Sequence, residues 1–177
     1  MNGAYYEQTG EDRYGAGSIA GDLAETAVAK VSDEQLNRPV VRFGPARTDT
    51  GRAQQVTWHP LIRYAPDFVQ FGRLIECQGS GGEYVIFKKE KLEALITWNA
   101  WMPVWFGLYR TDTDEVIFAD LAAVLWSVQH PDSEPMLLDA ETKFPKEAWK
   151  VPLVVLLEPR YYNAFEAERI EQGKRKR

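Results

Sequence analysis

The stretch Ala65-Pro66-Asp67-Phe68-Val69-Gln70-Phe71-Gly72-Arg73-Leu74-Ile75-Glu76-Cys77-Gln78 reads as two short strands around a tight turn, because apolar and β-branched runs flank a glycine. With the turn centred on Phe71-Gly72, Gln70 faces Arg73 and Asp67 faces Glu76 across the ladder. Directly opposed residues hold their Cβ atoms about 4.5–5.5 Å apart, and like charges so placed destabilise the pair. A protonated partner, an arginine or a bound divalent cation would relieve the repulsion. Gln78 lies two residues past Glu76 and shares its face of the sheet. Its amide oxygen can ligate a hard cation or orient a water. Cys77, between them, points to the other face and reads as a small core residue, not a nucleophile.

Working outward, residues 18–31 read as a helix. Ile19, Leu23, Ala27 and Val31 recur every four residues on one flank, with Ala20, Ala24 and Val28 beside them and Glu25 outside the apolar arc. Residues 37–55 carry Pro39, Gly44, Pro45 and Gly51 and read as a loop or irregular pair. Residues 56–62 are the start of a strand interrupted by Pro60. Beyond the hairpin come a flexible Gly79-Ser80-Gly81-Gly82 stretch, a short strand over 84–87 and a helix over 90–100. Leu92, Leu95, Ile96 and Asn99 mark the face of that helix. Strands are expected over 104–110 and 116–120 around a turn at 111–114, then a helix over 121–129. An apolar run of strand length over 151–157 and a polar-faced helix over 161–172 follow. The order predicts a mixed α/β domain, its central sheet flanked by helices.

The chain has 177 residues, 45% of them hydrophobic and 12% aromatic. That suits one domain with an ample core. Its expected parts are a loose arm over 1–16, a core over 18–125, and additions over 126–177 ending in the basic tail Lys174-Arg175-Lys176-Arg177. No apolar run reaches the roughly 18 residues that indicate a membrane span, and the polar start has no secretory h-region. The single cysteine excludes an internal disulfide and a cysteine zinc cage. A cytoplasmic protein is expected. The net charge of −5 argues against coating nucleic acid by bulk charge. It is compatible with an enzyme that meets DNA through a local patch, such as the arginines at 38, 42, 47 and 52.

Hard cations such as Mg²⁺ typically take one or two carboxylates, completed by water and phosphate oxygens. Such an ion lowers the pKa of a bound water and polarises a phosphoryl group. Asp67 with Glu76 is a sufficient minimal cradle for phosphodiester hydrolysis. The alternative is a solvated hairpin whose acidic pair is incidental.

Pro66-Asp67, an eight-residue gap, then Glu76-Cys77-Gln78 resembles the PD…(D/E)XK signature of the restriction-endonuclease-like nucleases. Gly21-Asp22-Leu23-Ala24-Glu25 resembles the first helix of the Holliday-junction-resolvase branch, which carries a metal-associated glutamate. Residues 87–95, followed by 104–108, resemble the helix and strand that come after the signature there. The resemblance spans about 18–125. It implies a restriction-endonuclease-like mixed sheet flanked by helices and a Mg²⁺- or Mn²⁺-dependent DNA endonuclease. The expected substrate is branched or duplex DNA, and the expected assembly is a homodimer. Asp67, Glu76 and Glu25 would hold the metal, and with Gln78 they form the expected catalytic set. Gln78 departs from the pattern, because most members have lysine there and glutamine brings neither charge nor basicity. Lys88 or Lys89 would then reach back to replace that charge, and Ser80 would lie near DNA. The rival expectation is a nuclease-fold protein that binds DNA or a partner without cutting.

Other candidates carry less. His59 stands beside a proline, and His130-Pro131-Asp132 reads as a helix-ending loop. Asp112, Asp114 and Glu115 read as a solvated turn. Trp98, Trp101 and Trp105 could stack on bases, but their spacing is that of core residues.

Overall fold

The computed structural model describes residues 10–45, 58–138, 140 and 145–157, with side chains from residue 20 onward. Arg47, Arg52, residues 1–9 of the arm expected over 1–16, the helix expected over 161–172 and the basic tail lie outside the described residues; residues 10–16, expected as part of the loose arm, belong to a helix instead.

Helix α1 (Gly10–Lys30) runs into a π-helical turn (Val31–Gln35). Strand β1 (Val41–Arg42), one helical turn α2 (Pro60–Arg63), β2 (Phe68–Gln70), β3 (Arg73–Ser80) and β4 (Tyr84–Lys88) follow. Next come α3 (Lys89–Asn99), β5 (Val104–Arg110), β6 (Glu115–Asp120), α4 (Leu121–Val128), β7 (Glu134–Leu138), β8 (Lys146–Pro152) and α5 (Leu153–Leu156). The class is α/β, as expected. A mixed five-stranded sheet has the order β1-β2-β3-β5-β6, and a small antiparallel sheet has the order β4-β8-β7. In the larger sheet β3 and β5 are parallel, from Leu74↔Val104 to Ser80↔Arg110, and the remaining pairs are antiparallel.

Alternation along the strands divides the core in two. Ile75, Cys77 and Phe118 face Ala24 and Val28 of α1. Leu74, Phe106, Leu108 and Ala119 face the layer built from α3, α4, α5 and the small sheet. Helix α1 lies very close to the sheet. A Cβ at Gly107 would meet Val28 Cγ2 at 2.5 Å, and one at Gly79 would meet the Ala20 carbonyl oxygen at 2.8 Å. Glycines on the sheet and small residues on the helix thus fit each other. The buried row of α1 is therefore Ala24–Val28, while Leu23 stays 45% exposed and Glu25 turns inward at 7%.

Three further expectations are corrected. Residues 60–63 form a helical turn, not a strand, with Pro60 in the first turn and His59 as N-cap, its Nδ1 accepting the Leu61 N–H at 3.3 Å. The strand over 84–88 leaves the main sheet and pairs with β8. The apolar run 151–157 is the end of β8 followed by the short helix α5, because a continuous apolar run has no period to separate strand from helix. Strand β7 was not anticipated. It contains Pro135, which an edge strand tolerates.

Candidate functional site

The β2–β3 hairpin has the register expected for it: Gln70↔Arg73, Val69↔Leu74 and Phe68↔Ile75. Its two turn residues have positive φ, 33° at Phe71 and 82° at Gly72, the backbone hand that continues strand twist through a two-residue loop. Asp67 stands one residue before the ladder. Its carbonyl accepts the Phe43 N–H at 2.9 Å, and its Oδ2 accepts the Cys77 N–H at 2.7 Å. Asp67 is thereby fastened beside Glu76-Cys77 by its own side chain. Glu76 is on the α3 side of β3 and only 1% exposed.

Two protein cations answer the question of what relieves the acidic pair. Arg42, at the end of β1, is hydrogen-bonded and ion-paired to Glu25 Oε2, and its second terminal nitrogen lies 3.7 Å from Asp67 Oδ1. Lys91, on α3, is ion-paired to Glu76 Oε1. Burial works against the charge of Arg42. The hydrogen bond to Glu25 and the fields of Glu25 and Asp67 outweigh it and hold the guanidinium pKa above its ordinary value. Burial also pushes the Cys77 thiol well above its usual range, and Asp67, Glu76 and Glu25 add to this against the opposing field of Lys91. Cys77 is thus an inert core thiol among the charges, on the face expected for it.

Neither cation was singled out from the sequence for this place. Lys91 precedes Ala94, Leu95 and Trp98 by three, four and seven residues, so it belongs to the inward face of α3. Anchoring the face on Leu92 and Ile96 hides this, and Ile96 is in fact 47% exposed. Arg42 belongs to the arginine group between 38 and 52, but only the pairing of Val41↔Val69 and Arg42↔Phe68 brings it to the hairpin.

The other expected site residues are placed differently. Gln78 Nε2 donates to the Ile86 carbonyl at 3.0 Å and so ties β4 to β3. Ser80 is buried, and its hydroxyl reaches the carbonyls of Tyr84 at 2.7 Å and Gly82 at 3.2 Å, so it closes the glycine-rich turn. Lys88 is exposed at the end of β4. Lys89 is turned to Glu147 at 2.5 Å on the surface, which raises its pKa. Lys89 is paired with Glu147, and Lys91 is ion-paired to Glu76.

Trp98 donates its indole N–H to the Leu61 carbonyl at 3.0 Å and meets Phe43 edge-on. Trp105 lies under the Arg73 guanidinium at 4.8 Å. Both are structural, whereas Trp101 is 85% exposed. His130 accepts the Asp132 N–H at 3.3 Å in the loop after α4.

Carboxylate oxygens are the donors a hard cation takes, and Glu25 and Asp67 both reach the Arg42 guanidinium, each through a different nitrogen. Among the described residues, no group of three or more His, Cys, Asp and Glu side chains converges closely enough to hold a metal ion. Glu76 is turned to Lys91 while Glu25 and Asp67 share Arg42. Among the described residues, no helix is long and apolar enough to cross a membrane. No family model matches the sequence, and no functionally characterised protein is significantly similar to it.

Proposed function

We propose that the chain is a restriction-endonuclease-like, divalent-metal-dependent DNA endonuclease, nearest in pattern to junction resolvases. One observation carries the reading: Glu76, 1% exposed, is ion-paired to Lys91 and sits beside Asp67. A buried ion pair seldom stabilises a fold more than apolar residues of the same size. Charges kept in such a place are functional-site candidates. The element order supports the reading too. Helix α1 carries Glu25, strands β1 to β3 carry Asp67 and Glu76-Cys77-Gln78, and α3 leads to β5 parallel to β3.

In this reading Asp67 would hold Mg²⁺ or Mn²⁺ with Glu76 and Glu25, whose side chains do not converge as a group of three in this structure and would have to turn from Lys91 and Arg42; when bound, the ion would supply Lewis acidity and an activated water. Lys91 takes over the charge that Gln78 lacks. Its ammonium offers positive charge and rotatable donors where charge develops on the phosphate. Gln78 keeps the β3–β4 junction in place, and the Asp67–Cys77 hydrogen bond orients the carboxylate. A symmetric homodimer acting on branched or duplex DNA in the cytoplasm completes the proposal.

A second reading, a nuclease-fold protein that binds DNA or a partner without cutting, is favoured by the internal compensation of the site. Glu25, Asp67 and Glu76 all have protein cations as partners. One experiment separates the two. Four-way junction, duplex, nicked and single-stranded DNA are incubated with the protein and Mg²⁺, Mn²⁺ or EDTA, beside Asp67→Ala and Lys91→Met. We expect metal-dependent cleavage that both variants lose by at least about a hundredfold, the scale of removing one donor to transition-state charge. Full cleavage by Asp67→Ala, or cleavage in EDTA, overturns the proposal. DNA binding without cleavage in either metal establishes the second reading.

A further inference from the structure

The tip of the β2–β3 hairpin works against the stability of the fold. A two-residue loop with positive φ at both residues favours asparagine or aspartate before glycine. Phe71 stands there instead, with φ 33°, where a bulky side chain is a backbone outlier. Burial does not offset that strain, because Phe71 is 78% exposed. Strain held without a packing reason points to function. Trp101, in the turn after α3, is the second large ring left to solvent, at 85%. The Leu74 N–H donates to the Pro103 carbonyl at 2.8 Å, and Leu74 pairs with Val104. Phe71 precedes Leu74 and Trp101 precedes Val104 by three residues each, so both rings stand at one end of the sheet. That end is about 15 Å from the Glu76–Lys91 pair, at about 3.3 Å per strand residue and 1.5 Å per helical residue.

We propose that Phe71 and Trp101 form a stacking end that takes unpaired nucleobases, so that the protein distinguishes a branch, bulge or end from continuous duplex. The inference rests on the DNA-directed reading above and holds whether or not the strand is cut. Every base has a π face, so stacking on aromatic rings is tolerant of sequence. Bases inside an intact duplex are already stacked and offer no free face. The area of the two rings fits such an occupant better than a second copy of the chain. Two aromatic side chains bury about 300–500 Å² together, whereas a stable protein interface takes about 800 Å² from each partner. The charge beside the rings also suits a nucleotide. Arg73 follows the turn directly, and the Arg38 carbonyl accepts from Gln70 Nε2, so two arginines adjoin the tip where phosphates would flank a stacked base. At about 3.4 Å per nucleotide of stacked strand, a base on the rings sets a bond about four or five nucleotides away at Glu76–Lys91.

The test is DNA binding in EDTA, read by fluorescence anisotropy. One duplex carries a two-base bulge with 2-aminopurine at an unpaired position, and its control is the same duplex fully paired. The full chain is compared with Phe71→Asn, Trp101→Ala and Trp101→Phe. We expect the unaltered protein to bind the bulged duplex at least about tenfold tighter than the paired one and to quench 2-aminopurine. Phe71→Asn and Trp101→Ala should each lose about tenfold on the bulged duplex and nothing on the paired one, while Trp101→Phe keeps most of the preference. Phe71→Asn relieves the turn, so its thermal midpoint should equal or exceed that of the unaltered protein. A structural role for Phe71 predicts the opposite sign, a lower midpoint with both duplexes weakened alike, and overturns the proposal. Sedimentation velocity is run beside it. Variants that lose self-association and bind both duplexes unchanged would assign the rings to a second copy and overturn it too. If the unaltered protein binds both duplexes and the variants match it, the stacking end is overturned while the DNA-directed reading stands. If the unaltered protein binds neither, both fall.

Discussion

Two clusters in this molecule are made of the same ingredients, arginine or lysine against several carboxylates, and differ in everything else. One is the β5–β6 hairpin, where Arg110 bridges Asp112 at 2.9 Å and Glu115 at 3.3 Å, and Tyr109 donates to Asp114 at 2.9 Å. Its partners lie two to five residues apart in the chain, and Asp112, Asp114 and Glu115 are exposed. The other joins Glu25, Arg42, Asp67, Glu76 and Lys91, drawn from five separate segments, with Glu25 and Glu76 buried. An exposed pair gains little, because water competes for both ions and each long side chain loses freedom. A buried pair has given up hydration, so removing either member strands the other. The first cluster decorates a turn. The second is a commitment made by the fold as a whole, and for that reason it is the place to look for function.

The contrast breaks first at Lys91. Lys91→Met removes a cation from the buried Glu76 carboxylate, and we expect a loss of about 3–5 kcal/mol in denaturant unfolding. The double variant Lys91→Met with Glu76→Leu should recover most of that loss while remaining inactive. A single variant as stable as the unaltered protein would mean that water already reaches Glu76 and that the two clusters are alike.

A smaller effect is expected at Asp67. Asp67→Ala strands the buried Cys77 N–H and should cost about 1–3 kcal/mol. Asp67→Asn keeps an acceptor for that N–H and should cost less, while losing Mn²⁺ binding to the same degree. Equal stability losses in the two variants would show that charge, not the Cys77 hydrogen bond, is what the fold uses.

The smallest effect belongs to the surface hairpin. The hydrogen bond from Arg110 holds the Asp112 carboxyl below its usual pKa, with a smaller contribution from the direct field of Arg110. A carboxyl depressed in the folded state contributes stability above its unfolded pKa, and that contribution is lost as pH falls through the folded one. Arg110→Ala should therefore return Asp112 to the ordinary carboxylate range in a carbon-detected NMR titration, with the thermal midpoint at neutral pH essentially unchanged. A clear drop in the midpoint would place this cluster with the buried one.

The hairpin was legible because its signals are local. Gly72 takes the positive φ that a two-residue loop requires, and alternation then carries the register to Ile75, so Asp67 is delivered beside Glu76-Cys77. Strand β5 and the extent of α3 were legible for the same reason, their periods being visible over seven and eleven residues, but the face of α3 was read with Ile96 and Asn99, which are exposed. The roles of Lys88, Lys89 and Ser80 were not legible. Which lysine turns inward depends on the rotation of α3 against the sheet, and that rotation is set by Ala94, Leu95 and Trp98. Ser80 sits beside glycines that sequence reads as mobile, yet its hydroxyl is enclosed because β4 turns away to pair with β8.

By itself the sequence determined the acidic hairpin: its turn, its register, and the placing of Glu76 and Gln78 on one face with Cys77 on the other. Backbone stereochemistry and a two-residue side-chain period act over a few residues and need no partner. Only the tertiary structure decided how that acidity is balanced. The glycine-lined approach of α1 turns Glu25 inward, the edge strand brings Arg42 between Glu25 and Asp67, and the packing of α3 aims Lys91 at Glu76. Buried charges must find their counter-ions wherever the packing places them, and no local rule of the chain says which residue that will be.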